Sequence, residues 1–194
     1  SAGIVVGDKS KKTKWCTTPG GERMEKAKVI ELKETILEDN NADAQVLRQE
    51  LKAQKTCLMN LMSSPGSGKT STLLALKPYF DGKIKWGVME ADIDSDVDAN
   101  TLIEAGIPSI QLHTGGMCHL DADMTRQGIH EFGTKDLDFV VLENVGNLVC
   151  PAEFDTGSTK NARILSVPEG DDKPLKYPLM FPICDVVSLT NVIH

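Results

Sequence analysis

Ser63-Ser64-Pro65-Gly66-Ser67-Gly68-Lys69-Thr70 is the stretch on which the reading of the whole sequence turns. An apolar run at 58–62 leads into it, and a helical pattern beginning Ser71-Thr72-Leu73-Leu74-Ala75-Leu76 leads out. Strand, glycine loop and helix in that order are what a phosphate-binding loop requires. Backbone N–H groups of Gly66, Ser67 and Gly68, and of the helix start at Lys69, Thr70 and Ser71, offer partial positive charge to a β-phosphate. Lys69 reaches the β- and γ-phosphates as a mobile cation, and the Thr70 hydroxyl suits Mg²⁺. Ser63 stands where such loops usually carry their first glycine. The plainer alternative is a glycine turn ahead of an ordinary helix; Gly-Lys-Thr in frame, with both flanking elements right, favours the phosphate loop.

Outward from the loop, short apolar runs recur at 84–89, 109–112, 139–142, 162–167 and 185–189. Helical patterns at 70–79, 97–105 and 120–132 lie between several of them. This alternation predicts an α/β domain over 57–194, a mostly parallel sheet flanked by helices. Parallel sheets bury both faces, which explains strands without strict apolar–polar alternation. Residues 22–56 read as an N-terminal helical segment. Val29, Ile30, Leu32, Ile36 and Leu37 stand at helical spacing, Asn40-Asn41 marks a break, and Val46, Leu47 and Leu51 carry a second run. That helical pair packs on the core, mediates dimerisation, or does both. Residues 1–21, ending in Pro19-Gly20-Gly21, read as a flexible tail.

Composition narrows the function classes. The sequence has 194 residues, 40% hydrophobic and 25% charged, as an ordinary soluble domain has. A net charge of −7 argues against a reader of nucleic-acid phosphates. No apolar run approaches the roughly 18 residues of a membrane span. The lysine-bearing start has no apolar core of a secretory signal. Five cysteines without a regular framework point to reduced thiols and a cytoplasmic protein.

A phosphate loop needs a carboxylate at a neighbouring strand end to hold or orient Mg²⁺. One candidate segment is Glu90-Ala91-Asp92-Ile93-Asp94-Ser95-Asp96-Val97-Asp98, after the run at 84–89. Asp92 is the better magnesium candidate, whereas Asp94 and Asp96 are equally readable as solvated residues or helix caps. The other is Glu143-Asn144-Val145-Gly146, in which Gly146 is placed as the glycine amide of a switch loop that senses a γ-phosphate. Cys118-His119 and Cys150 also follow predicted strands, on the same sheet edge as the phosphate loop. Two thiolates and an imidazole suit Zn²⁺ or Ni²⁺. The spacing alone favours inert buried thiols over a metal site.

Four strings together carry a family resemblance: residues 61–70, residues 114–122 around Cys118-His119, Glu143-Asn144-Val145-Gly146-Asn147-Leu148-Val149-Cys150-Pro151, and residues 166–178 around Glu169-Gly170-Asp171-Asp172-Lys173. The sequence resembles the HypB family, GTPases that help insert nickel into [NiFe] hydrogenase, from about residue 22 to 189. The resemblance implies a SIMIBI-type P-loop GTPase that binds GTP/GDP and Mg²⁺. It implies a homodimer tightened by GTP, with Cys118, His119 and Cys150 of each subunit holding Ni²⁺ or Zn²⁺. A HypA-like nickel chaperone and the hydrogenase large subunit are the implied partners. Asp92 and Asp98 fall in the first switch and Glu143 and Gly146 in the second; with Lys69, the three acids are the implied catalytic set. Lys173 and Lys176 fall near the nucleotide and dimer face.

The departures bear on the base. The family reads Asn-Lys-x-Asp where this sequence has Asn191-Val192-Ile193-His194, so Asn191 is kept while histidine replaces the aspartate that would accept from guanine. Against the family pattern the sequence is C-terminally truncated, which implies weak or lost guanine selectivity and little turnover as the alternative reading.

Overall fold

The computed structural model describes residues 24–32, 39–92, 97–146, 149–170 and 172–190. The tail at 1–21, Asp94, Asp96 and Asn191 lie outside the described residues.

Among the described residues, seven strands form one sheet. They are β1 (Lys28–Glu31), β2 (Cys57–Ser63), β3 (Trp86–Asp92), β4 (Ser109–His113), β5 (Phe139–Glu143), β6 (Lys160–Ser166) and β7 (Val186–Thr190). Their order is β1-β4-β3-β5-β2-β6-β7, and all six pairings are parallel. Helices α1 (Asn40–Gln54), α2 (Lys69–Phe80), α3 (Val97–Glu104), α4 (Ala122–Phe132), α5 (Cys150–Glu153) and α6 (Lys173–Lys176), with short 3-10 helices at Thr134–Asp136 and Val167–Glu169, complete the described elements. After β2 the chain crosses to β3, skipping the place that β5 later fills; after β5 it crosses back over β2 to β6. The phosphate loop thus leaves β2 where connections diverge to both sides, the point at which open α/β sheets form their ligand crevice.

Both faces of the sheet are covered. Leu47 and Leu51 of α1 and Met124 of α4 pack with Leu58, Met89, Leu112 and Leu142 on one face. Leu73 of α2 and Leu102 of α3 pack with Leu61, Val88, Val141 and Ile164 on the other. Odd and even positions of β2 serve opposite layers, so the run at 58–62 is apolar almost throughout. No helix among the described residues is long and apolar enough to cross a membrane.

Two expectations need correction. Residues 28–31 are an edge strand, not helix: β1 pairs in register with β4, Ile30 opposite Leu112. Ile30 and Leu32 are two apart, a strand period, and the Leu32 N–H closes the pairing on the His113 carbonyl at 2.9 Å. Asn40-Asn41 is not a break ahead of the second helical run but its first turn, since α1 begins at Asn40. The Asp39 carboxylate caps α1 by accepting from the Ala42 N–H at 3.0 Å. Asn40 itself donates Nδ2 to the Asp155 carbonyl at 3.0 Å and accepts the Ala122 N–H at 2.9 Å, so it ties α1 to α4 and to the segment after α5.

Candidate functional site

The site lies along the carboxyl edge of the central strands. Gly66 and Gly68 have φ of +73° and +92°, a left-handed backbone that glycine adopts without strain. Space around them is open, so backbone shape rather than crowding calls for glycine. Ser64 Oγ and Ser67 Oγ are buried without hydrogen-bond partners among the described residues. Thr190 Oγ1 donates to the Ser67 carbonyl at 2.7 Å and ties the end of β7 to the loop.

Lys69 opens α2, followed by Thr70 and the exposed Ser71. Lys69 Nζ lies 3.7 Å from Glu143 Oε1, with side chains 13% and 2% exposed. Glu143 ends β5 and faces Glu90 on β3 as its register partner. Glu90, Asp98 and Glu143 each place a carboxylate oxygen within 4.8 Å of the others. Glu90 Oε2 and Glu143 Oε2 are buried and unpartnered. Burial first, then the charges of Glu143, Asp98 and Asp92, pushes the Glu90 carboxyl up to about 8. Burial also raises Glu143, to about 7, with the Lys69 charge opposing. Asp92 is the last residue of β3 and Asp98 lies in the first turn of α3. These carboxylates, with Pro65, Lys69 and Gly146, line a pocket of about 270 Å³. A Cβ on Gly146 would stand 3.0 Å from Pro65 Cγ, so the segment after β5 touches the phosphate loop.

Glu90 is the site residue that the sequence pattern hides. The apolar run at 84–89 places it in a loop after the strand, but β3 continues through Asp92. The available signal is that Glu90 and Glu143 are each the first acid after an apolar run on neighbouring strands.

The thiols meet. Cys118 Sγ and Cys150 Sγ are 2.8 Å apart although 32 residues separate them. Cys118 follows a turn closed by Thr114 Oγ1 donating to the Met117 carbonyl at 2.7 Å, and Cys150 opens α5. Their shared hydrogen bond, with some desolvation, pushes the Cys118 thiol up. His119 does not close on the pair. Its ring lies flat on Phe154, centroids 3.7 Å apart, and the acidic trio is the one set of three ligand groups gathered within 4.8 Å among the described residues. Lys173 heads the one-turn α6, and Lys176 pairs with Asp172.

Residues 57–167 match the family described as CobW/HypB/UreG, nucleotide-binding domain. The chain is 43% identical over 168 residues to the hydrogenase/urease maturation factor HypB of Helicobacter hepaticus, covering 84% of this chain and 69% of that protein. This chain belongs to the HypB family. It is 40% identical over 169 residues to hydrogenase maturation factor HypB of Escherichia coli, covering 87% of this chain but only 58% of that relative. A crystal structure of HypB from Helicobacter pylori in complex with nickel superposes with a TM-score of 0.71 at 41% identity, over 76% of this chain and 70% of that one. The fold is accordingly that of the SIMIBI-type P-loop GTPases, and three of the four strings that resembled HypB border the pocket and the thiol pair.

Proposed function

We propose that this chain binds and hydrolyses GTP as a homodimer and passes nickel to a partner during [NiFe] hydrogenase maturation. The observation that carries the reading is the Cys118–Cys150 contact at 2.8 Å, because Cys150 lies four residues past Gly146, which abuts the phosphate loop. One chain segment therefore touches the nucleotide loop and supplies a metal ligand.

In this reading the backbone N–H groups of residues 66–71 hold the phosphates. Lys69 leaves Glu143 for the γ-phosphate, where its charge meets charge that develops in transfer. Thr70, Asp92, Asp98 and Glu143, joined by Glu90, fit Mg²⁺, because orphaned buried carboxylate oxygens already face the pocket. Bound there, the cation neutralises phosphate charge. Glu143, freed of Lys69, orients the attacking water, and Gly146 answers the γ-phosphate with its N–H. Nickel is cargo: Cys118 and Cys150 hold it as thiolates, and His119 joins by leaving Phe154. Movement of the Gly146 segment shifts Cys150 and loosens the metal for a HypA-like partner and the hydrogenase large subunit.

Titration with Ni²⁺ and Zn²⁺, in GDP and in a non-hydrolysable GTP analogue, tests the reading. Wild type should bind one or two ions per dimer, with affinity that depends on the nucleotide and rises from about pH 6 to 8 as thiols release protons. Cys118→Ala or Cys150→Ala should weaken binding by about tenfold or more. Wild-type affinity in both variants would end the proposal. His194 in place of the family aspartate favours, as a second reading, a nucleotide switch with little preference for GTP over ATP, which competition with ATP decides.

A further inference from the structure

The segment between β5 and β6 carries both Gly146 and Cys150, and besides backbone bonds from Asn144 to Leu61 and from Thr159 to Leu58 its two roots share one side chain of a strand it does not belong to. Asn60 sits on β2, between β5 and β6, and is 2% exposed. Its Oδ1 accepts from Asn144 Nδ2 at 3.0 Å, at the exit from β5. Its Nδ2 donates to Asn161 Oδ1 at 3.1 Å, at the entry to β6.

The amide orientations fix one another. Asn144 Oδ1 accepts the Val145 N–H at 2.8 Å, so its Nδ2 must turn to Asn60. Asn60 must then accept with Oδ1 and donate with Nδ2. Asn161 Oδ1 also receives the Ser158 hydroxyl at 3.2 Å, and Ser158 Oγ receives Thr156 Oγ1 at 3.1 Å. The ladder therefore runs from the Val145 N–H across three strands to Thr156. The stretch between these roots, which bears Gly146, Cys150 and Phe154, is outside the ladder and is tied at Asp155 by Asn40 and Arg48. Beside the ladder lies a polar cavity of about 270 Å³, lined by Asn60, Asn161, Pro151, Phe154 and Thr156, which leaves room for that stretch to shift.

We infer that Asn60 is a positioning residue: it clamps both roots of the switch segment, so displacement at Gly146 is confined to the stretch between them and delivered to the Cys150 thiol. A segment loose at either root would dissipate the movement. The delivery to Cys150 rests on the nucleotide-coupled reading proposed above; the clamp itself does not.

The experiment has two arms on the full chain. In the first, hydrogen exchange is followed without nucleotide or metal on wild type, Asn60→Leu and Asn60→Asp. Asn60→Leu leaves Asn144 and Asn161 unsatisfied and should raise exchange across 144–161 by about tenfold or more. Exchange in β4 and α4 should stay at the wild-type rate. Asn60→Asp keeps an acceptor for Asn144 but loses the donor to Asn161, so its rise should fall on 156–161. In the second, Co²⁺ reports the thiolates through its charge-transfer band, read in GDP and in a non-hydrolysable GTP analogue. Asn60→Leu should bind Co²⁺ while losing the difference between nucleotides that wild type shows. Wild-type exchange in both variants overturns the clamp, as does a uniform rise over β2, β4 and β5. A wild type whose Co²⁺ band ignores the nucleotide counts against the proposed function alone, and the exchange arm still decides the clamp.

Discussion

Glu90 and Glu143 face each other across β3 and β5, and Lys69 pairs with Glu143. Glu90 titrates at about 8 in the folded chain against an ordinary 4.5, so between those values the folded state holds a proton that the unfolded state has lost. The sign follows: stability falls as pH rises through this window, and Glu143 adds a smaller slope of the same sign. Each tenfold difference in proton affinity between the two states is worth about 1.4 kcal/mol. The nucleotide-free chain should therefore lose roughly 10–20 °C of melting temperature between pH 5.5 and 8.5. Glu90→Gln keeps the shape without the charge and should flatten most of that slope in calorimetry; an unchanged slope would place the titration elsewhere. Lys69→Ala belongs to the same trio. It removes the cation that holds Glu143 down, so Glu143 takes up its proton and the fold survives. Triphosphate affinity should drop by about 10- to 100-fold in isothermal titration, the cost of a charged hydrogen bond. Lys69 and Glu143 are readable in the sequence as site residues, whereas Glu90 is not. That Lys69 rests on Glu143 is not readable either, because the pairing depends on which strands adjoin.

At the scale of elements, the strand–helix alternation around 63–70 is legible because each strand is a short apolar run between helix signals. Strand order is not, since nothing in the sequence says that β5 inserts between β2 and β3. The N-terminal strand reads as helix for a local reason. Four residues at a sheet edge show too few periods to tell, and Val29 is 40% exposed, so β1 announces itself through pairing with β4 rather than through pattern. The meeting of Cys118 and Cys150 has a partial signal, because both follow strands of one parallel sheet. The contact itself needs β4 and β5 to lie one strand apart, on either side of β3. The Gly146 segment belongs to this scale. Gly146→Ala puts a Cβ 3.0 Å from Pro65 Cγ, which a shift of a few tenths of an ångström relieves. The fold should persist, with a melting temperature within a few degrees of wild type. The displaced segment should slow phosphate release at saturating GTP by about tenfold. A wild-type rate would mean that Gly146 answers backbone geometry alone.

At the scale of the whole molecule, the edge strand β7 leaves a run of apolar side chains exposed. Val186, Val187 and Leu189 are 59%, 44% and 59% exposed. The face that β6 shares with β7 is covered by the turns at 177–184, where Met180, Phe181 and Cys184 pack on Met62. Into this apolar patch β6 turns Arg163, opposite Met62 on one side and Val187 on the other. It is fully buried, and none of its three guanidinium nitrogens has a hydrogen-bond partner among the described residues. Its cation lies 4.4 Å over the Phe181 ring, and burial lowers its basicity. A cation–π contact contributes about 2 kcal/mol at most, whereas an unpaired buried ion costs several. Methionine has similar length, fits the neighbouring Met62 and Met180, and carries no charge to desolvate. Arg163→Met should accordingly stabilise the chain by about 1–4 kcal/mol. In a domain of this size that is a rise of several degrees in melting temperature, with nucleotide affinity unchanged because Arg163 is outside the phosphate pocket. A fall instead would show that the guanidinium holds an anion or a carboxylate in solution, and Glu169, whose Oε2 is also buried and unpartnered, would be the first to test by Glu169→Gln.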